Sequence, residues 1–471
     1  MMAQSPILLW FRRDLRLADH PMVVAAAATG RPLIPIFILD EVSQNLGAAA
    51  RWRLGLALET FASNLEVLGC RLILRKGSAL AVLQKLIGET GADTIFWSRS
   101  YIPNVQERDR LVKTALKAKG LNATSFDGHL LFEPWRVATQ EGGFYRVYTP
   151  FWKSVARRDV PTPVAAPKAL HIPSEWPQSA QLREWRLDAP MNRSASILYP
   201  YQAVGEAAAL RRLELFMAGP IGPYKEARDF PEIEATSRLS ENLTYGEISP
   251  RLLWHSGQRA MRDGAAGAEH FLKELVWREF AYHLCHHTPH ILTRNWRPEW
   301  DAFPWRDNND DAEKWRRGMT GEPFVDAAMR EMYVTGSMHN RGRMIVASYL
   351  TKHLMTDWRV GMDWFEQCLT DWDPAANAMG WQWAAGSGPD ASPYFRIFNP
   401  ERQAERFDPN MAYRKRYIAE LSTLFSPTAH AFFEAAPRTW QLDSTNPYPD
   451  KIIDLSIGRT RALAAYSARG S

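Results

Sequence analysis

Short apolar runs set a regular beat at the start of the chain. Residues 7–11 (ILLWF), Leu33–Leu39, 71–74 and 94–97 are continuous or nearly continuous apolar stretches, and segments with helical character lie between them at 21–29, 51–68, 79–89 and 105–119. Strands this apolar have both faces buried, and strands that alternate with helices pair in parallel. The pattern predicts an α/β domain with a parallel, Rossmann-like sheet over residues 1–133. No G-x-G-x-x-G follows the first strand, so the dinucleotide fingerprint is absent and a ligand of this domain binds in another way.

Residues 134–200 change character. Pro161, Pro163, Pro167, Pro173, Pro177 and Pro190 break any long helix, which predicts a connector lying over the surface of both domains. From Tyr201 onward the pattern is helical, opened by AVGEAAALRRLELFM, with Ser249-Pro250 reading as an N-cap followed by Pro in the first turn. Residues 201–471 therefore form a large all-helical domain, with 449–468 as a terminal helix. One stretch departs from the pattern: DWDPAANAMGWQW at 371–383. Asp-Pro and Gly380 predict a loop and short turn there. Its indoles, Trp372, Trp381 and Trp383, fit either an aromatic loop packed under helices or a redox site holding a flat cofactor.

Composition narrows the field. Of 471 residues, 46% are hydrophobic and 23% charged, and the formal net charge is +5 with pI near 9.0. This is a globular protein whose mild basic bias permits a polyanion partner. Three scattered cysteines fit a reducing compartment and fall short of an iron–sulfur cluster. No apolar stretch of membrane-spanning length occurs and the N-terminus lacks a signal-peptide pattern, so no membrane association and a cytoplasmic location are expected.

Four constellations carry candidate chemistry. In ATSRLS, Thr236, Ser237 and Ser240 suit a diphosphate cradle at a helix start, or simply an N-cap. Glu274, Trp277 and Arg278 are spaced to share one helix face, which suits a flat heteroaromatic ligand or an ordinary surface ion pair. The histidines of HLCHHTPH at 283–290 offer two i,i+4 pairs, but zinc sites draw ligands from several elements. Solvated or helix-capping histidines, and no metal, are expected. In MHNRGRM, Asn340 and Met344 share a face, and Arg341 points elsewhere.

Taken together, these segments resemble the photolyase/cryptochrome family: WFRRDLRL at 10–17, RDFPEIEATSRLS at 228–240, ELVWREF at 274–280, GEPFVDAAMREM at 321–332, MHNRGRM at 338–344 and WQWAAGSGPDASPYFRIFNP at 381–400. The resemblance implies FAD in the helical domain. It places Tyr224, Thr236, Ser237, Arg238, Leu239 and Ser240 at the diphosphate and ribityl part, Arg278 on the adenine side, Arg343, Asp371 and Asp373 at the flavin ring and ribose, and Asn377 opposite flavin N5. Trp305, Trp358 and Trp381 match the family's indole relay. Arg228, Glu274, Trp277, Arg278, Asn340, Arg341, Met344 and Trp383 match positions that meet damaged DNA.

Within the family, Asn340 and Met344 stand where six-four enzymes use histidines, and Asn377 where plant-type cryptochromes place Asp. Both point to repair of cyclobutane pyrimidine dimers in UV-damaged DNA, in a class I or class III bacterial branch, with a cryptochrome-type photoreceptor as the alternative. Glu274, desolvated beside an indole, is expected to be protonated at the lesion, and Trp277 and Trp383 to form a wall for the extruded dimer. Ser337 and Phe271 replace tryptophans usual in class I. A second, antenna chromophore is implied, methenyltetrahydrofolate ahead of a deazaflavin, although Val105 replaces the acid of folate-binding members. A monomer is expected.

Overall fold

The computed structural model describes residues 4–390 and 395–469, so residues 391–394 of the 381–400 motif lie outside the described residues. Five parallel strands form one sheet in the order β3-β2-β1-β4-β5, with β1 (Ile7–Phe11), β2 (Leu33–Leu39), β3 (Ile73–Lys76), β4 (Thr94–Ser98) and β5 (Asn122–Phe126). β1 sits in the centre, Ile7 pairing with Leu33 on one side and Thr94 on the other, and is buried throughout. Central burial on both faces is why its sequence carries no polar alternation. β5 was not among the expected strands. It is an edge strand of composition NATSF and mostly partly exposed, so it lacks an apolar run to announce it. The other edge strand, β3, starts later than its apolar residues indicate and runs out through Arg75 and Lys76.

The connector is less superficial than expected. Its helix Tyr148–Val155 turns Tyr148, Phe151 and Val155 inward, and with Val137 and Val160 these join a core of the helical half built around Phe271, Leu272 and Phe280. Farther along, Leu170, Trp185 and Leu187 pack on the core of the sheet domain. The prolines exclude a long helix but not burial.

The stretch expected to be a loop is instead the helix Pro374–Ala385. Asp-Pro is its start signal: the Asp373 side chain accepts from the Ala376 amide, and Pro374 occupies the first turn, where its missing N–H costs nothing. Gly380 sits inside the helix, at a cost of roughly 1 kcal/mol relative to Ala, and Gly386, at φ 94°, ends it. The terminal helix is Leu455–Ala468 and begins later than expected, at the point where Asp454 caps two amides.

The two halves are clasped by the segment around Tyr245. Arg53, on the helix Ala48–Val67 of the sheet domain, is fully buried between Glu241 and Glu247 of the helical domain and lies over the Tyr245 ring. Tyr245 donates to the carbonyls of Ala50 (2.8 Å) and Thr370 (2.9 Å). Gly246, at φ +66°, lets the backbones meet: a Cβ there would lie 2.3 Å from the Arg13 carbonyl oxygen.

Candidate functional site

The helix Pro374–Ala385 and the segment before it organise the site. Asp371 accepts two bonds from Arg343 (3.0 and 2.8 Å), on the helix Asn340–Ser348, and one from the Ser240 hydroxyl (2.8 Å). Thr244 Oγ1 donates to the Asp371 carbonyl (3.2 Å), and Arg13 of the sheet domain donates to that of Trp372 (3.1 Å). Asp373, besides capping its helix, accepts from the Tyr282 hydroxyl at 2.6 Å. Burial first, and the Asp373 carboxylate second, hold the Tyr282 phenol protonated. Asn377 is buried and donates to the Asp373 carbonyl (2.9 Å).

The ATSRLS run divides. The short helix begins at Ser240, with Leu239 at its cap position and no side-chain capping bond. Ser240 spends its hydroxyl on Asp371, whereas Thr236 and Ser237 precede the helix, partly exposed. Arg238 is exposed, adopts the left-handed conformation (φ 50°) and gives its carbonyl to Arg212 (2.9 Å). Tyr224 is buried against Phe216 and Phe271, so the replacement at Phe271 fills the space behind Tyr224. Ser337 is exposed.

Glu274, Trp277 and Arg278 lie on the helix Ala268–His287 as expected, but their surroundings differ from the expectation. Glu274 is ion-paired with Arg228, with His270 at 3.7 Å, and its side chain is 30% exposed. The side chain expected beside an indole thus has a guanidinium as its partner. Arg278 donates to the carbonyl and to Nε2 of His129 (2.9 and 3.0 Å) and lies over Tyr282. Burial, then Arg278, push the His129 pKa well down, which keeps the ring neutral and able to accept. Trp277 stacks on Tyr148 of the connector. Trp383 packs against Phe398 and lines a small cavity with Lys352 and Arg396.

Asn340 and Met344 meet as their spacing implies, Nδ2 to Sδ at 3.9 Å, and Arg341 turns away to Asp229 at 2.5 Å. The indoles occupy three elements. Trp381 is buried in its helix, Trp358 opens the helix Trp358–Cys368 packed beside it and donates to Asn295 (2.9 Å), and Trp305 adjoins a β-bridge of Arg306 to Thr356. The histidines divide: His290 is exposed and His286 and His287 partly so, whereas His283 is buried, accepts from the Tyr145 amide (3.1 Å) and is neutral, its pKa lowered to about 3 by burial and then His287. Among the described residues, no cluster of three metal-binding side chains occurs.

Family comparison fits this arrangement. The DNA photolyase family model matches residues 7–168, and the model of the FAD binding domain of DNA photolyase matches residues 271–468. The chain belongs to the DNA photolyase family. A deoxyribodipyrimidine photo-lyase of Agrobacterium fabrum is 46% identical over 469 residues, covering 98% of both chains, and that of Escherichia coli is 34% identical over 476 residues, also covering 98% of each. Among solved structures, a bacterial class III photolyase from Agrobacterium tumefaciens superposes with a TM-score of 0.92 at 44% identity, over 100% of this chain and 98% of that one. A Synechocystis cryptochrome gives 0.85 at 27%, over 99% and 100%.

The helical half is thus an FAD-binding domain, and its residues fit a flavin dinucleotide. Asp373, Asn377 and Gly380 fall on one face of their helix by i,i+4 and i,i+3 spacing. At Gly380 that face meets open space, with nothing within 4 Å of an added Cβ. The Trp381 indole N–H is buried without a partner. Arg343, Ser240, Ser237 and Thr236 supply a cation and hydroxyls of the kind that hold phosphate and ribose.

Sequence reasoning missed Tyr282, His129, Thr244, Arg13 and Tyr148. Tyr282 had a signal, since it follows Arg278 by one helical turn. The others come from distant segments, and only the fold brings them in.

Proposed function

We propose that this protein is a deoxyribodipyrimidine photo-lyase that splits cyclobutane pyrimidine dimers in UV-damaged DNA under blue light. The observation that supports this best is the open space at Gly380, on the helix face shared with Asp373 and Asn377, beside the Arg343–Asp371–Ser240 cluster, in a chain 46% identical to a photo-lyase of that name. Reduced FAD held there would supply, under light, a one-electron donation that is returned after the dimer splits, so the reaction would have no net redox change.

The chain's own residues bind, orient and exclude water. Arg343, Asp371 and Ser240 form the polar clamp of the cofactor, with Tyr224, Thr236, Ser237, Arg238 and Leu239 along its phosphates and Arg278 on the adenine side. Asn377 presents a neutral amide to the flavin. Glu274 accepts a hydrogen bond from the pyrimidine edge, its charge balanced by Arg228. Asn340 and Met344 contact the dimer from their shared face, and Trp277 and Trp383 offer aromatic surface to the extruded bases. Extrusion costs a few kcal/mol and is easier at a distorted lesion. Arg341 exchanges its partner Asp229 for backbone phosphate, giving salt-dependent affinity, while Arg228 faces the DNA still paired with Glu274. Trp305, Trp358 and Trp381 carry electrons inward when the cofactor arrives oxidised.

The finer assignments are methenyltetrahydrofolate as antenna ahead of a deazaflavin, a monomeric state and a cytoplasmic location. Among the described residues, no helix is long and apolar enough to cross a membrane. The deciding experiment illuminates the reduced protein with a dimer-containing oligonucleotide, beside a dark control. Loss of dimers only in the light supports the assignment. Intact dimers in both arms, with the flavin fully reduced and the DNA bound, overturn it in favour of a photoreceptor.

A further inference from the structure

Among the described residues, the closest ring pair joins Trp277 to a residue outside the FAD-binding domain. Tyr148, the first residue of the connector helix, lies 3.6 Å from Trp277 between ring centroids, with 7° between the planes. Phe280 stands edge-on to both, at 5.8 and 5.9 Å. Aromatic pairs left to themselves prefer offset or edge-to-face arrangements, because the two π faces repel. A flat, nearly coincident pair must therefore be held. The hold is visible: the Tyr148 hydroxyl donates to the Lys273 carbonyl at 2.6 Å, one turn before Trp277, and the residue is 7% exposed. Its backbone amide faces the carboxylate of Asp390, in the turn after the Trp383 helix. Trp277 itself remains partly exposed, and among the described residues Tyr148 is its only parallel ring partner.

We propose that Tyr148 is a positioning residue for lesion recognition: it backs one face of Trp277, fixes the indole plane, and so leaves the opposite face preset to receive the extruded dimer. This rests on the photo-lyase reading for the identity of the ligand, but not for the stack itself. The sheet-domain side of the chain thereby contributes to a surface that is otherwise built from the helical half. Without Tyr148 the indole has room to tilt into the vacated space, and the dimer meets a mobile wall.

The test compares Y148F and Y148A holoenzymes, alone and combined with W277A, by dark binding of dimer-containing and undamaged oligonucleotides. Y148F keeps the ring but loses the bond to Lys273 that holds it, and is expected to lose dimer affinity by less than Y148A does. Y148A is expected to lose about tenfold in dimer affinity, a share of what losing a stacking ring altogether costs, with binding to undamaged DNA, flavin content and repair yield at saturating DNA unchanged. Y148A/W277A is expected to bind no worse than W277A. A Y148A enzyme with wild-type dimer affinity, or one whose loss adds fully to that of W277A, overturns the proposal. The fluorine resonance of 5-fluorotryptophan at position 277 reads the stack without DNA: it is expected to shift or broaden in Y148A and by less in Y148F, and an unchanged signal in Y148A also overturns the proposal. A wild-type protein with no preference for dimer DNA overturns the photo-lyase reading and the lesion-facing half of the proposal, and the fluorine signal then judges the stack alone.

Discussion

Gly361 offers a way to move Trp381 without removing it. The two helices that carry these residues pack so closely that a Cβ on Gly361 would lie 2.1 Å from Cη2 and 2.5 Å from Cζ3 of Trp381, and 2.6 Å from a Leu350 methyl. Carbon atoms rest at 3.5–4.0 Å, so G361A forces about 1.5 Å of displacement on the indole or on its helix. Overpacking of this kind costs about 1–3 kcal/mol. The added Ala recovers at most about 1 kcal/mol of helix propensity. A net cost near the middle of that range, about 1–2 kcal/mol, lowers Tm by roughly 2–8 °C in a domain of this size. Trp381 is 2% exposed, so it has no empty side to retreat to, and its geometry toward Trp358 must change. The assay pairs thermal unfolding with the rate at which oxidised holoenzyme is photoreduced. G361A is expected to be less stable and slower to photoreduce, with dimer repair retained once the flavin has been reduced chemically. A variant with wild-type Tm and photoreduction rate would refute the close packing of these helices.

Three further outcomes follow from the same geometry. G380A adds a methyl group to the open face, so the flavin-free protein is expected to gain about 1 kcal/mol of stability while the purified protein retains less FAD. Flavin retention equal to wild type would place the cofactor elsewhere. W381F is expected to abolish photoreduction and leave repair by pre-reduced enzyme intact; normal photoreduction would mean that electrons enter by another route. Glu279 is buried and accepts from the amides of Leu131 (2.8 Å) and Phe132 (3.2 Å), and burial, offset in part by Arg278, pushes its pKa up to about 7. An acid raised on folding contributes stability that is complete below its ordinary value of 4.5 and is lost as pH rises through 7. Relative to wild type, E279Q should therefore gain stability between pH 5 and 8 in thermal melts, and a constant difference across that window would show that Glu279 titrates normally.

The alternating first third was legible because its strands are buried on both faces and carry their signal in composition. β5 was not, because an edge strand can be built from Asn, Thr and Ser without loss. The Pro374–Ala385 helix was misread for a different reason. Asp-Pro and a lone Gly are breakers inside an element, but the same Asp-Pro is a start signal, and a Gly is tolerated where the helix meets open space. Glu274 shows the limit of reading a site by spacing. Its helix face was correct, yet its ion-pair partner, Arg228, lies on another segment. Tyr148 and His129 were hidden altogether, since nothing in VYTPFWK or DGHLLF announces a contact with Trp277 or Arg278.

The burial of Arg53 between Glu241 and Glu247 bears on how this protein can be dissected. Cutting away the sheet domain would remove the guanidinium that ties these two acids together, leaving Glu241 to Arg212 and Glu247 to the Asn242 amide. Those acids adjoin Ser240 and Thr244, which hold Asp371. A fragment that starts near residue 201 would thus lose the fixed floor beneath its own nucleotide clamp, and the FAD-binding half cannot be treated as a free-standing module.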